Sequence, residues 1–318
     1  MSAAAPRVAL VVPIHNAAPF LQETLDSVLA QSYPNWEAVL VDDASSDGSD
    51  ALAADYVRRH PDRFRLIRLE QNAGVVATRN RALEAAREAD LIALLDHDDR
   101  LRERYLERMV EIYERERAAG RRMGIVGCDA LLHEPGGRER VTWSEHCGWY
   151  DEVNLDTLLR QNTIFARALF SRAALSEVGG FSEECSGSDD WDLWLRIVEA
   201  GYEVAVTREP LAVYRLHTGA MSQDRLRMTE STLRLYRRAL ERDRLSPRQR
   251  RLVHRRMRHI RAERANARFR QARAGGRRLD ALRCALLAIP PGLVATLQDP
   301  AVWRRKWHRR KRGLELAA

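Results

Sequence analysis

Short runs of uninterrupted apolar residues at 8–12, 38–41 and 91–95, with a weaker arginine-broken run at 64–69, alternate with stretches where apolar residues recur at helical spacing. A strand that shows no apolar–polar alternation has both faces covered, which is the signature of a parallel sheet with helices packed on its two sides. The helical patterns supply those layers: 18–31, with Phe20, Leu21, Leu25, Val28 and Leu29 on one stripe, then 49–59 and 77–88. The order strand, helix, strand, helix, strand, helix, strand predicts an α/β fold on a mostly parallel sheet. A chain of 318 residues, 45% apolar and 31% charged, is large enough to bury such a core as one large or two modest domains.

In open α/β sheets ligands bind outside the carboxyl ends of the strands. Polar clusters fall at those ends: Pro13-Ile14-His15-Asn16, Asp42-Asp43-Ala44-Ser45-Ser46-Asp47-Gly48, Glu70-Gln71-Asn72-Ala73-Gly74 and Asp96-His97-Asp98-Asp99. The last is the most chemically loaded. Paired carboxylates of the Asp-x-Asp kind hold a hard cation such as Mg²⁺ or Mn²⁺ by one or two side chains while substrate phosphates take its other positions. The rival reading is a helix start, with Asp99 capping a segment that begins at Leu101.

Further along, the spacing predicts a helix after Arg100 to about 119, a strand at 124–128, a turn at 135–137, a strongly amphipathic helix over 190–200, and strands at 202–207 and 212–216. From 225 onward, apolar residues recur at helical spacing among arginines. The charge divides there. Residues 225–318 hold 28 Lys or Arg against 7 Asp or Glu, whereas residues 1–224 hold 25 against 38. This predicts a boundary at 224/225 and a basic helical module that meets a polyanion, a membrane face or the acidic part of its own chain. The apolar stretch 279–297 is broken by Arg283 and Pro290-Pro291, too short and interrupted to span a bilayer. Trp303 and Trp307 stand among Arg304, Arg305, Lys306, Arg309, Arg310 and Lys311, the composition of an interfacial helix. Cys128, Cys147, Cys185 and Cys284 lie far apart with no Cys-x-x-Cys spacing, so neither a zinc site nor a disulfide framework is indicated. The first residues lack a signal-peptide pattern, and a cytoplasmic setting is expected, with peripheral attachment to the inner face of the cytoplasmic membrane.

Taken in order, Pro13-x-His15-Asn16, Asp42-Asp43-x-Ser45, Asn72-x-Gly74 with Arg79-Asn80, Asp96-x-Asp98-Asp99, Asp189-Asp190-Trp191-Asp192-Leu193-Trp194 and Tyr214-Arg215-x-His217 resemble the motifs of family 2 glycosyltransferases over about residues 7–223. The resemblance implies a GT-A nucleotide-diphospho-sugar transferase fold over 1–224, followed by the basic helical region 225–318, and inverting sugar transfer from a nucleotide diphosphate donor to a hydroxyl. It further implies that the main chain at Pro13 and the ring of His15 line the base pocket and that Asp43 accepts an imide N–H, favouring a UDP-sugar. Gly74 would permit close backbone approach and Arg79 would face the diphosphate or the base. Asp96 would touch ribose or the metal shell, Asp98 would ligate Mn²⁺ or Mg²⁺, and His217 would bind metal or phosphate.

By the same likeness Asp190 is the catalytic base, with Asp189 as runner-up; relatives commonly carry Glu-Asp here, so the Asp-Asp pair is a departure. Ala44, where Gly is common, and His97, where a small residue is common, are two more. Trp191 and Trp194 offer a sugar platform, although the spacing of Leu193, Trp194, Leu195 and Ile197 makes Trp194 a core residue. The implied acceptor is a glycan or lipid-linked hydroxyl in cell-surface polysaccharide synthesis, and loops between 142 and 162 are expected to choose the sugar. Two other classes are weighed against this reading: a nucleotide-sugar binder without turnover, and a nucleic-acid binder acting through the arginines. The second is disfavoured by the absence of a recognised motif and by few aromatics spaced for base stacking.

Overall fold

The computed structural model describes residues 5–134, 139–148, 150–217 and 219–274. Its first part alternates as expected: β1 (Val8–Ile14), α1 (Ala18–Leu29), β2 (Trp36–Asp42), α2 (Ser49–Arg59), β3 (Phe64–Arg68), α3 (Val75–Ala85) and β4 (Leu91–Leu94). Then come β5 (Arg100–Leu101), α4 (Tyr105–Ala118), β6 (Met123–His133), β7 (Glu139–Thr142), α5 (Trp143–Cys147), α6 (Leu155–Leu158), β8 (Leu169–Ser171), α7 (Arg172–Val178), α8 (Asp189–Glu199), β9 (Glu203–Arg215), α9 (Arg225–Glu241) and α10 (Pro247–Ala274). One sheet runs β3-β2-β1-β4-β8-β6-β9-β5, with β7 added on β6. The pairs β3-β2, β2-β1, β1-β4 and β6-β9 are parallel, while β8 runs antiparallel between β4 and β6.

The uninterrupted apolar runs are explained by what covers them. All seven residues of β1 and all four of β4 are buried. Val8, Leu10, Val12, Leu40 and Leu91 face a core closed by Leu21, Leu25 and Val28 of α1, Tyr56 of α2 and Leu106 of α4. Ala9, Val11, Val39, Val41, Ile92 and Leu94 face the other core, closed by α3, α8 and the two C-terminal helices. Each fully buried Leu or Ile contributes about 1.5–3 kcal/mol, so a polar substitution on either face of β1 or β4 removes a large share of the net stability.

Three expectations need correction. The two strands foreseen at 202–207 and 212–216 are the single strand β9, because the β6–β9 ladder shifts register at Cys128/Asp129 and Asp129/Ala130 and carries the chain past Pro210. The missing donor of Pro210 is absorbed by a bulge and does not end the strand. Asp99 caps no helix: Leu101 belongs to the short strand β5, paired with β9, and helix α4 starts only at Tyr105. Finally, the composition break at 224/225 is a change of surface and not of core. Leu233, Leu235, Tyr236 and Ala239 of α9 and Val253, Met257 and Ile260 of α10 join the core that holds Trp191 and Trp194. Arg242, the residue just after α9, is tied by ion pairs to Asp192 and Glu199 of α8. Among the described residues no helix is long and apolar enough to cross a membrane. The turn at 135–137, the stretch 279–297 and Trp303 and Trp307 with their neighbouring arginines lie outside the described residues.

Candidate active site

The parallel strands deliver their polar ends to one edge of the sheet, and the loops there are stitched to each other. His97 Nδ1, beyond β4, lies 3.0 Å from the Pro13 carbonyl at the end of β1, and His15 Nδ1 lies 2.8 Å from the Asp43 carbonyl beyond β2. Asn72 donates to His15 Nε2 at 3.2 Å. Asp43 is buried, and its carboxylate accepts the main-chain N–H groups of Ala73 at 2.6 Å and Gly74 at 2.9 Å. One task of this carboxylate is therefore to fix the loop before α3. Gly74, at φ +87° and ψ 160°, occupies backbone space that is essentially reserved for glycine. Ala44 is at φ +54°, a left-handed conformation that costs alanine and suits glycine.

Below these loops lies a charge network in which the carboxylates do not all have the same job. Asp96 is bonded on one oxygen by Arg79 Nη2 at 2.7 Å and ion-paired on the other with Arg167 Nη1 at 2.7 Å. Burial alone would raise its pKa, but Arg167 and Arg79 outweigh that and hold the carboxyl well below the usual carboxylate range. Arg79 also donates to Asp189 Oδ2 at 2.5 Å, and the arginine is only 6% exposed. Arg79 thus bridges β4's end to the start of α8, and Asp96 meets a guanidinium on each oxygen.

Arg167 donates from Nε to Asp99 Oδ2 at 2.6 Å, and the Arg215 main-chain N–H reaches Asp99 Oδ1 at 3.0 Å. Burial, with Asp98 and Asp96 adding like charge, pushes Asp99 up to about 7 against the pull of Arg167. Asp98 is the member left without an arginine partner; its Oδ2 lies 2.9 Å from His217 Nε2. That brings together the two side chains expected at a metal. Among the described residues no three His, Cys, Asp or Glu side chains form a ready-made cation cage. Two protein donors nevertheless fit the chemistry of Mg²⁺ or Mn²⁺, which completes its shell with waters and substrate phosphates.

Asp189 and Asp190 open α8, where the helix N-terminus favours negative charge. Asp190 accepts the Trp191 N–H at 2.7 Å on one oxygen and Asn162 Nδ2 at 3.2 Å on the other. Burial and the neighbouring Asp189 push its pKa up to about 6, partly offset by Arg79. That value leaves a carboxylate able to accept a proton near neutral pH. Trp191 is not a platform. Its Nε1–H donates to the Leu158 carbonyl at 2.9 Å, its ring meets Tyr236 edge-on, and it is 7% exposed. Trp194 is wholly buried against Phe170.

The sequence reading missed Arg167 and gave Asn162 no role beyond ending a loop. A signal for Arg167 existed: it is the one charge in the apolar run Ile164-Phe165-Ala166-Arg167-Ala168-Leu169-Phe170, and buried charges are kept only where something pairs them. Nothing in the spacing pointed to Asn162.

The model of the family described as "Glycosyl transferase family 2" matches residues 9–179. Among similar curated proteins are the succinoglycan biosynthesis protein ExoO of Rhizobium meliloti, 31% identical over 69% of this chain and 63% of its own, and the amylovoran biosynthesis glycosyltransferase AmsB of Erwinia amylovora, 25% identical over 67% and 71%. The uncharacterized glycosyltransferase EpsJ of Bacillus subtilis is 35% identical over 69% of this chain and 63% of its own. Of solved structures, the mannosyltransferase PcManGT from Pyrobaculum calidifontis in complex with GDP-Man and Mn²⁺ superposes with TM-score 0.59, 24% identity and coverage of 95% of this chain and 83% of that one. S. aureus TarS 1-349 in complex with UDP-GlcNAc gives TM-score 0.60 at 19% identity, over 84% and 72%. The chain belongs to glycosyl transferase family 2, a family of inverting glycosyltransferases, and has their GT-A fold.

Proposed function

We propose that this protein transfers a sugar, with inversion, from a nucleotide diphosphate donor to a hydroxyl of a glycan or lipid-linked acceptor in polysaccharide assembly. The observation that carries the reading is the Arg79 bridge: one buried guanidinium locks the Asp96 loop to Asp189, and so places Asp190 at a fixed position beside the carboxylates that end β4. In this reading Asp190 accepts the acceptor proton as the hydroxyl oxygen attacks the sugar C1. The C1–O bond to the diphosphate breaks on the opposite face, and its electron pair leaves with the diphosphate, which inverts the centre. Asn162 holds one oxygen of Asp190, and the helix N-terminus behind it steadies the carboxylate before proton transfer.

Asp98 and His217 hold Mn²⁺ or Mg²⁺; when bound, such an ion supplies the charge that stabilises the departing diphosphate without proton transfer. The donor nucleotide lies along the loops of Pro13, His15, Asp43 and Gly74. A UDP-sugar remains the favoured donor, because each Asp43 oxygen keeps a lone pair beyond its loop bond. The test is a panel of UDP-, GDP- and dTDP-sugars with Mn²⁺, read as a melting shift and then as product. A donor at a hundred times its Kd stabilises the native state by about 2.7 kcal/mol. A panel with no shift, or product of retained configuration, would overturn the proposal.

A further inference from the structure

Away from the carboxylates, α6 and α10 enclose a groove of about 560 Å³. Arg160 forms one wall; Arg248, Arg251, Arg255 and Arg258 form the other. The spacing of those four places them on one stripe of α10. All five guanidinium side chains are exposed, and among the described residues none meets a carboxylate. Several arginines elsewhere do find carboxylates: Arg104 before α4, Arg108, Arg115 and Arg117 of α4, Arg238 of α9 and Arg242 just after it are each ion-paired. The only carboxylate lining the groove, Asp156, is already bonded by Gln249 at 2.8 Å. Five like charges against one carboxylate leave a net repulsion that an anion relieves.

We propose that this groove seats the phosphate of a phosphate-bearing acceptor. The inference rests on the glycosyltransferase reading and specifies its acceptor class. Three observations choose this occupant. The groove is concave and of small-ligand size, with Leu252 its one apolar lining residue, which suits a compact anion better than a flat bilayer. The rest of the chain does not suit it, since residues 275–318 carry ten Lys or Arg against three Asp or Glu. And Arg160 is two residues, at most about 7 Å of chain, from Asn162, whose amide holds Asp190. An acceptor anchored there by its phosphate presents its hydroxyl on the base side of the site, opposite the donor loops.

The test uses the full-length protein and R251E/R255E, a change at two exposed positions. In calorimetry with EDTA present, inorganic pyrophosphate binds the wild type, and the variant binds it at least about tenfold more weakly, the loss expected on removing charge-assisted bonds. In transfer assays, a dodecyl-diphosphate-linked hexose has a lower KM than the dodecyl hexoside without the diphosphate, and the variant narrows that gap. Equal pyrophosphate binding by the two proteins would overturn the proposal, as would losses confined to phosphatidylglycerol vesicles or to a single-stranded oligonucleotide. Asp190→Asn keeps the pyrophosphate site while losing turnover. A donor panel without product thus sinks the transferase reading, and the pyrophosphate titration separately judges the groove.

Discussion

Replacing Asp190 by Asn is expected to abolish transfer and to shift the stability difference from wild type in the variant's favour as pH rises through about 6. The pKa of the side chain rises from 3.8 to about 6 on folding, so the folded state holds this proton more tightly than the unfolded state. That preference favours the native state at low pH, and the benefit disappears as pH climbs from about 4 through about 6. The gap corresponds to roughly 3 kcal/mol at full effect, and because the side chain is partly exposed about 1–2 kcal/mol is expected. Asparagine carries no charge at any pH, and exchanging an oxygen for an amide opposite Asn162 costs the same throughout. The informative quantity is therefore the change with pH of the stability difference between variant and wild type. Urea unfolding of both proteins at pH 4.5 and 7.5 measures it, and the difference is expected to move in the variant's favour at the higher pH. Over the same range wild-type kcat/KM rises through about pH 6 as the base ionises. The variant's kcat falls by about 10²–10⁴, the usual value of a positioned base, while the donor-induced melting shift persists. A pH-independent stability difference would refute the perturbed carboxyl, and turnover within a few-fold of wild type would refute its role.

Arg79→Met leaves Asp96 and Asp189 facing each other without their shared guanidinium, and should cost about 3–5 kcal/mol by denaturant midpoint; a loss below about 1 kcal/mol would show that the bridge is not formed. Ala44→Gly relieves a left-handed alanine and is expected to stabilise by about 1 kcal/mol, visible as a small rise in Tm with activity retained. His217→Ala removes one of two donors at the proposed cation position and should weaken Mn²⁺ binding in the presence of UDP by about tenfold or more in calorimetry, with little change in the stability of the metal-free protein.

How much of this was legible in the sequence depended on how local the signal was. The first four strands and their helices were readable because burial on both faces writes itself as unbroken apolar runs, and α2 occupies the span its periodicity marks. β9 was misread as two strands because Pro210 looks like a terminator until its partner strand is known to bulge. The residues expected at the site do gather at one edge of the sheet, most of them at strand ends or at the start of a helix, but their partners were not legible. Arg79 and Asp189 are 110 positions apart, and Arg167 and Asp99 are 68 apart. No spacing rule reports that such residues will meet, so the two carboxylates that Arg79 pairs with were not foreseen. The C-terminal division was drawn from charge, which describes surfaces; the apolar stripe of α9, which decides what that helix packs on, was present in the same residues.

Those long-range pairs also explain how five carboxylates can crowd one edge of a sheet. Asp96, Asp99 and Asp189 are each neutralised by the buried guanidiniums of Arg79 and Arg167, and so form a frame that fixes β4's end against α8. Among the described residues no arginine is bonded to Asp98 or Asp190: the first meets the His217 ring, the second an amide side chain and a main-chain N–H. A carboxyl without a guanidinium is open to a cation at Asp98 and to a proton at Asp190, whereas Asp99, whose pKa burial also raises, stays bonded to Arg167. The frame and the acting pair should therefore separate experimentally. Neutralising Asp99 or Asp189 should be felt chiefly in unfolding free energy, and neutralising Asp98 or Asp190 chiefly in turnover. A double substitution of Asp98 and Asp190 should then leave the unfolding free energy near the wild-type value while abolishing turnover, because neither carboxylate holds an arginine in place.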